Sequence, residues 1–106
     1  MAHKYGAVPT VVDGIRFDSK AEARRYHELR MLEMAGEIRD LRLQPVYDLH
    51  VAGERIGSYV GDFEYFDVTR AERTTEDVKG FKTPLYRWKR KHLKAEYGIT
   101  ILEVTV

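Results

Sequence analysis

Thr74-Thr75-Glu76-Asp77-Val78-Lys79-Gly80, then Thr83-Pro84, then the closing run from Ile99 to Val106, decides the fold. The first stretch is a short strand that Gly80 ends. Thr83 is a good N-cap and Pro84 suits the first helical position, so a helix is expected to about Tyr97, with Gly98 as its stop. The closing run alternates apolar and β-branched residues and reads as a final strand. Strand, helix and strand in that order form a βαβ unit, which makes the two strands parallel with a right-handed crossover.

Working upstream, Phe17 to Ala35 reads as a helix, with Ser19 as N-cap and Gly36 as stop. Tyr26, Leu29 and Leu32 or Glu33 stand one turn apart and give it an inward face. Leu43 to Val51 and Arg55 to Val68 are two strands joined by a turn at Gly53-Glu54. Polar residues from Thr69 to Arg73 separate the second from the strand ending at Lys79. The order is helix, three-strand meander, helix, strand. This predicts a single α/β domain over residues 1–106, with a mixed sheet flanked by helices. Met1 to about Val12 reads as a flexible or weakly paired arm, followed by a plausible turn at Asp13-Gly14.

A chain of 106 residues, 43% hydrophobic and 33% charged, supports one core but not two. Without cysteine there is neither a disulfide framework nor a thiolate zinc site, which points to a reducing, intracellular setting. The start lacks the pattern of a signal peptide, and no apolar run approaches the roughly 20 residues that span a bilayer, so a soluble, unexported protein with no membrane partner is expected. The four histidines are scattered, and there is no Walker loop, G-x-S-x-G or G-x-G-x-x-G. Nucleotide hydrolase, serine hydrolase and dinucleotide enzyme readings therefore have no support.

Asp77-Val78-Lys79 puts a carboxylate and an ammonium on one face of a strand, with Val78 pointing away. That pair suits phosphodiester chemistry, the carboxylate holding a divalent cation and the lysine touching the attacking water or the phosphate. Taken alone, the tripeptide is better read as an exposed ion pair on an edge strand. The preceding strand reverses that preference. A hairpin closing around Arg70 and Ala71 would bring Asp62 near Lys79 and Glu64 near Asp77, so that three carboxylates and a lysine share a face. Like charges so packed repel unless a cation joins them, and hard oxygen ligands favour Mg2+ or Mn2+. Gly61-Asp62 resembles turn sequence, but the aromatic residues on either side argue for strand. Glu22 lies one turn before Tyr26 and can point at the sheet; it also fits a capping box with Ser19.

From Val78 to Ala95 there are seven Lys or Arg residues and no Asp or Glu. Such a block can follow a phosphate backbone, and Lys82, Arg87, Lys89, Arg90, Lys91 and Lys94 are the candidate DNA contacts. On the second helix Arg87, Arg90, Lys91 and Lys94 share one side, opposite Leu85, Trp88, His92 and Leu93. Lys89 falls in the apolar sector, and Trp88 is expected in the core.

The run Gly14 to Tyr26, then Leu43-Gln44-Pro45, Tyr59 to Tyr65, Glu76 to Gly80 and Tyr97-Gly98-Ile99 resembles a family of small phage and prophage proteins regarded as PD-(D/E)XK endonucleases. The layout is also similar to transposon-end endonuclease subunits and phage Holliday-junction resolvases. The resemblance implies a restriction-endonuclease-like αβββαβ core and Mg2+-dependent hydrolysis. Asp62 would be the PD-type aspartate, Asp77 and Lys79 the D-x-K pair, Glu22 the first-helix carboxylate, and Gln44 a supporting residue. Gly61 stands where the pattern has proline. The expected protein is a structure-selective DNA endonuclease, bound to branched or duplex DNA as a homodimer in the cytoplasm of a bacterial host. The alternatives are a DNA-binding or assembly module that does not cut, and a nuclease subunit that needs a partner.

Overall fold

The computed structural model describes residues 8–105, so most of the expected arm and the final Val106 lie outside the described residues. Ten elements follow in order: β1 (Thr10–Val12), β2 (Ile15–Phe17), α1 (Lys20–Met34), β3 (Ile38–Leu43), β4 (Val46–Val51), β5 (Glu54–Val60), β6 (Phe63–Asp67), β7 (Glu72–Lys79), α2 (Pro84–Tyr97) and β8 (Ile101–Thr105). The end of the expected arm is a small hairpin, β1 with β2, whose turn is Asp13-Gly14 as expected. Both turn residues take positive φ, 53° and 75°, a conformation glycine adopts without strain and aspartate tolerates.

The core of the fold is a mixed sheet of order β3-β6-β7-β8, antiparallel at its first two seams and parallel between β7 and β8. This is the α/β architecture the sequence predicts, including the parallel βαβ pair. On one face, α1 buries Ala23, Tyr26 and Leu29 against Ile38, Phe63 and Tyr65. The second cluster joins Tyr86 and Leu93 of α2 to Ile101 of β8 and to Leu49 and Tyr59 of the β4–β5 hairpin. Side chains alternate along a strand, so adjacent residues of β7 serve different layers.

Both helix starts are as read. The Ser19 hydroxyl accepts from Glu22 N at 3.1 Å and the Thr83 hydroxyl from Tyr86 N at 3.0 Å. Gly98 closes α2 at φ 71°, its N–H donating to Lys94 O.

Both long strands of the expected meander are altered. The expected Leu43–Val51 is β4, which starts only after Gln44-Pro45; before that dipeptide runs β3 (Ile38–Leu43), a strand that sequence reasoning missed, and Arg55–Val68 divides at Gly61-Asp62. The breaks face each other, with Gln44 N donating to Asp62 O at 2.9 Å and Gly61 N to Pro45 O at 3.0 Å. One long hairpin is thus bent at its middle, and its outer half, β4–β5, leaves the main sheet. Gly61 is buried there, and a Cβ would stand 3.3 Å from Thr75 Cγ2 and 3.4 Å from Pro45 Cγ, so the close approach favours glycine. The outer turn is Ala52-Gly53, one residue earlier than expected, since Val51 pairs with Glu54.

A cluster of acidic residues at the end of the central strand

The β6–β7 register differs by two from the expected one. Phe63 pairs with Glu76 and Glu64 with Thr75, so Asp62 comes beside Asp77 rather than Lys79. A shift of two preserves the face, so Asp62 and Asp77 still come together on one side of the sheet. Glu64 does not join Asp77. It accepts from the Tyr47 hydroxyl and from Arg73 Nη1 at 2.9 Å, in the wall of a separate cavity of about 450 Å3. Asp62 lies in the bend between β5 and β6, not within a strand as expected, and the bend turns its carboxylate to accept from Val78 N at 2.7 Å.

Asp77 is 3% exposed on a strand flanked by β6 and β8, which excludes the reading of an ion pair on an exposed edge. It accepts from the Tyr59 hydroxyl, and Lys79 Nζ stands 3.3 Å from its other oxygen. The same ammonium lies 4.2 Å over the Tyr86 ring, a cation–π contact that fixes its direction. Tyr59 and Tyr86 are thus two site residues that sequence reasoning missed. Tyr59 was legible only as one of the aromatic residues around Asp62.

The electrostatics show how close these groups are. Burial pushes the Asp62 carboxyl up to about 8, helped by its hydrogen bond to Asp77 and by the Asp77 charge; the Val78 amide opposes the rise. Glu22 is also raised, first by burial and then by Asp18 and Asp77, while Ser19 and Lys79 act against this. The cluster therefore carries more carboxylate than its one nearby amine balances. Glu22, Gln44, Asp62 and Arg16 line a cavity of about 110 Å3 whose remaining walls are Ile15, Phe17, Leu43 and Phe63, so a small space with both polar and apolar walls adjoins Asp62.

Among the described residues, no three His, Cys, Asp or Glu side chains form a ready ligand set for an ion. The donor chemistry does suit a hard divalent cation: Asp62 and Asp77 offer adjacent carboxylate oxygens, Glu22 reaches them through its field, and the raised pKa of Asp62 marks a place where added positive charge is favoured. Glu76 faces the other way, as its position next to Asp77 requires. It is fully buried, held by Arg25 through Nε at 2.7 Å and Nη2 at 2.6 Å, and by the Tyr65 hydroxyl. Sequence reasoning also missed Arg25, which stands one turn after Glu22 on the inward side of α1.

The basic residues of α2, with Lys82 just before it, divide. Lys82 at 3.2 Å and Arg90 at 2.9 Å both pair with Glu103 of β8. Arg87, Lys91 and Lys94 are exposed, and Lys89 is partly buried. The expected apolar face is wrong by about a quarter turn. Tyr86 and Leu93 are buried, whereas Leu85 is 59% and Trp88 54% exposed. The surface α2 meets contains Tyr59, Asp77 and Glu103, and Tyr86 and Arg90 suit it better than Trp88 because their polar tips find partners there. His92 sits between, its Nε2 at 3.0 Å from His50 O.

A family described as "Protein of unknown function (DUF1064)" matches residues 2–105. The chain belongs to this DUF1064 family. No curated protein and no solved structure matches it. No helix of this DUF1064 protein, among the described residues, is long and apolar enough to cross a membrane.

Proposed function

We propose that this protein is a metal-dependent DNA endonuclease whose catalytic residues are Glu22, Asp62, Asp77 and Lys79. The observation that carries the reading is the pair of half-buried Asp62 and buried Asp77 beside Lys79: two carboxylates share a site, and the amine of Lys79 pairs with one of them. A fold gains nothing in stability from such a pair, and unbalanced charge of this sort is concentrated at functional sites. The pair also adjoins the cavity that Glu22 and Gln44 line, which gives a small ion and its waters somewhere to enter.

Asp62, Asp77 and Glu22 would hold Mg2+ or Mn2+, which when bound supplies charge to stabilise the transition state and to lower the pKa of water. Lys79 is held by Asp77 and Tyr86 where its ammonium can contact the phosphate or orient the attacking water. Tyr59 fixes Asp77, and Gln44 lines the same cavity as Asp62 and Glu22. Arg87, Lys91 and Lys94 are the exposed basic residues for the DNA backbone, with Lys89 beside them, whereas Lys82 and Arg90 serve first to hold Glu103.

The substrate class we favour is branched DNA, cut by a homodimer in the cytoplasm of a bacterial host by a phage or prophage protein. The test is incubation with linear and branched DNA in Mg2+ or Mn2+. The expected result is cleavage that EDTA and Asp77→Asn each abolish. Tight binding with no cutting under every divalent ion would replace this reading with that of a DNA-binding module.

A further inference from the structure

The exposed side of α2 carries two parallel stripes. Leu85, Trp88 and His92, spaced three and four residues apart, form one; Arg87, Lys91 and Lys94 form the other. Trp88 is 54% exposed although it is the only tryptophan in the chain, and its ring leans on His92 at 5.8 Å between centroids. The helix has no acidic residue before Glu96, which pairs with His92 at 3.2 Å beyond the indole, so the charged residues closest to Trp88 in the helix sequence are all cations. Trp88 stands about 200° round the helix from Tyr86, which carries Lys79 on its ring, so this surface lies on the side of α2 away from the acidic cluster.

An indole flanked by cations, with its ring open to solvent, matches the chemistry of an unpaired nucleotide: the ring takes the base and the amines take the phosphates. Duplex DNA keeps its base faces stacked and offers the indole nothing comparable. A second copy of this chain is the poorer occupant, because it would bring like charges together along the basic stripe.

We propose that Trp88 stacks on an unpaired base of single-stranded DNA whose phosphates lie along Arg87 and Lys91, so that the substrate class is DNA that carries a single-stranded segment. This rests on the nuclease reading above. Base stacking on an aromatic residue is lost with a weakening of about 5- to 100-fold when the ring is removed.

Because Trp88 is the sole tryptophan, its own emission reports the contact. The full chain is titrated in EDTA, where nothing is cut, with a single-stranded oligonucleotide, a blunt duplex of the same sequence, and an abasic strand of equal length. The expected result is strong quenching by the single strand and little by the other two. Trp88→Phe should retain most of the single-strand affinity and Trp88→Ala lose about tenfold or more, with duplex affinity much less affected. Equal quenching by the abasic strand, equal losses on single strand and duplex, or a change of oligomeric state in Trp88→Ala with DNA affinity intact would each overturn the inference. None of those outcomes touches the nuclease reading, which stands or falls on divalent-ion cleavage and its loss in Asp77→Asn.

Discussion

Replacing Asp62 by asparagine should make the protein more stable, and by an amount that depends on pH. Asp62 in the fold titrates near 8 against 3.8 for the free side chain, the cause being burial first and Asp77 second. A carboxyl raised in the fold binds its proton more tightly there than in the unfolded chain. Its contribution is therefore fully present below about pH 4 and is lost as pH rises through about 8. Between pH 5 and pH 8 the folded carboxyl keeps its proton while the unfolded one is ionised throughout, so folding must take up a proton that grows scarcer, which removes roughly 3 to 4 kcal/mol. The amide in Asp62→Asn would keep an oxygen for the Val78 N–H and carry no charge. The assay is urea denaturation of the wild type and Asp62→Asn at half-unit steps of pH, read by the single tryptophan. The two should nearly coincide at about pH 4 and separate progressively toward pH 8, the variant being the more stable. Parallel curves, or a wild type as stable as the variant at pH 8, would show that Asp62 is not a strained carboxylate and remove the main support for a cation site.

If the cluster takes a divalent ion, Mn2+ at a hundred times its dissociation constant should stabilise the wild type by about 2.7 kcal/mol at pH 8, and Asp62→Asn far less; thermal melts with and without EDTA measure this. Arg25→Ala should cost about 3 kcal/mol in urea unfolding because it strands the fully buried Glu76, and joining it to Glu76→Met should recover part of the loss; a single variant within about 1 kcal/mol of wild type would contradict the pair's role. Tyr59→Phe should destabilise by roughly 1 to 3 kcal/mol by taking a donor from the buried Asp77, and should slow any cleavage. Removing both Arg87 and Lys91 should lower the slope of log affinity against log salt by about 2, whatever the DNA sequence, whereas Arg90→Ala should act mainly on stability through Glu103.

Helix starts, the helix stop of α2, the parallel β7–β8 pair and the face shared by Asp77 and Lys79 were all legible, because each depends on a few adjacent residues and a fixed period. Ser19 and Thr83 declare their helices locally, and Gly98 does the same for an end. What was not legible is whatever two distant segments decide jointly. The bend at Gly61-Asp62 exists because Gln44-Pro45 opposes it, and nothing within either dipeptide reveals the other. The register of β6 on β7 was misjudged by two for the same reason, since the turn between Asp67 and Glu72 sets it.

The misreading of α2 has a different origin. Periodicity ranks residues by hydrophobicity and so assigns Leu85 and Trp88 to the interior. The interior that α2 meets is not uniformly apolar, because Asp77 and Glu103 are built into it and must be answered by hydroxyls and cations. Tyr86 donates to Glu103 and carries Lys79 on its ring, so it is drawn inward, and Trp88, about 200° further round the helix, is left outside. The acidic cluster thus sets the rotation of the helix beside it. The same rotation that brings Tyr86 against Lys79 puts the indole and its flanking cations in the solvent, so the site and the proposed DNA surface follow from one choice of face. A chain without Asp77 and Glu103 would have no reason to prefer tyrosine over tryptophan at that contact, and its second helix would turn the other way.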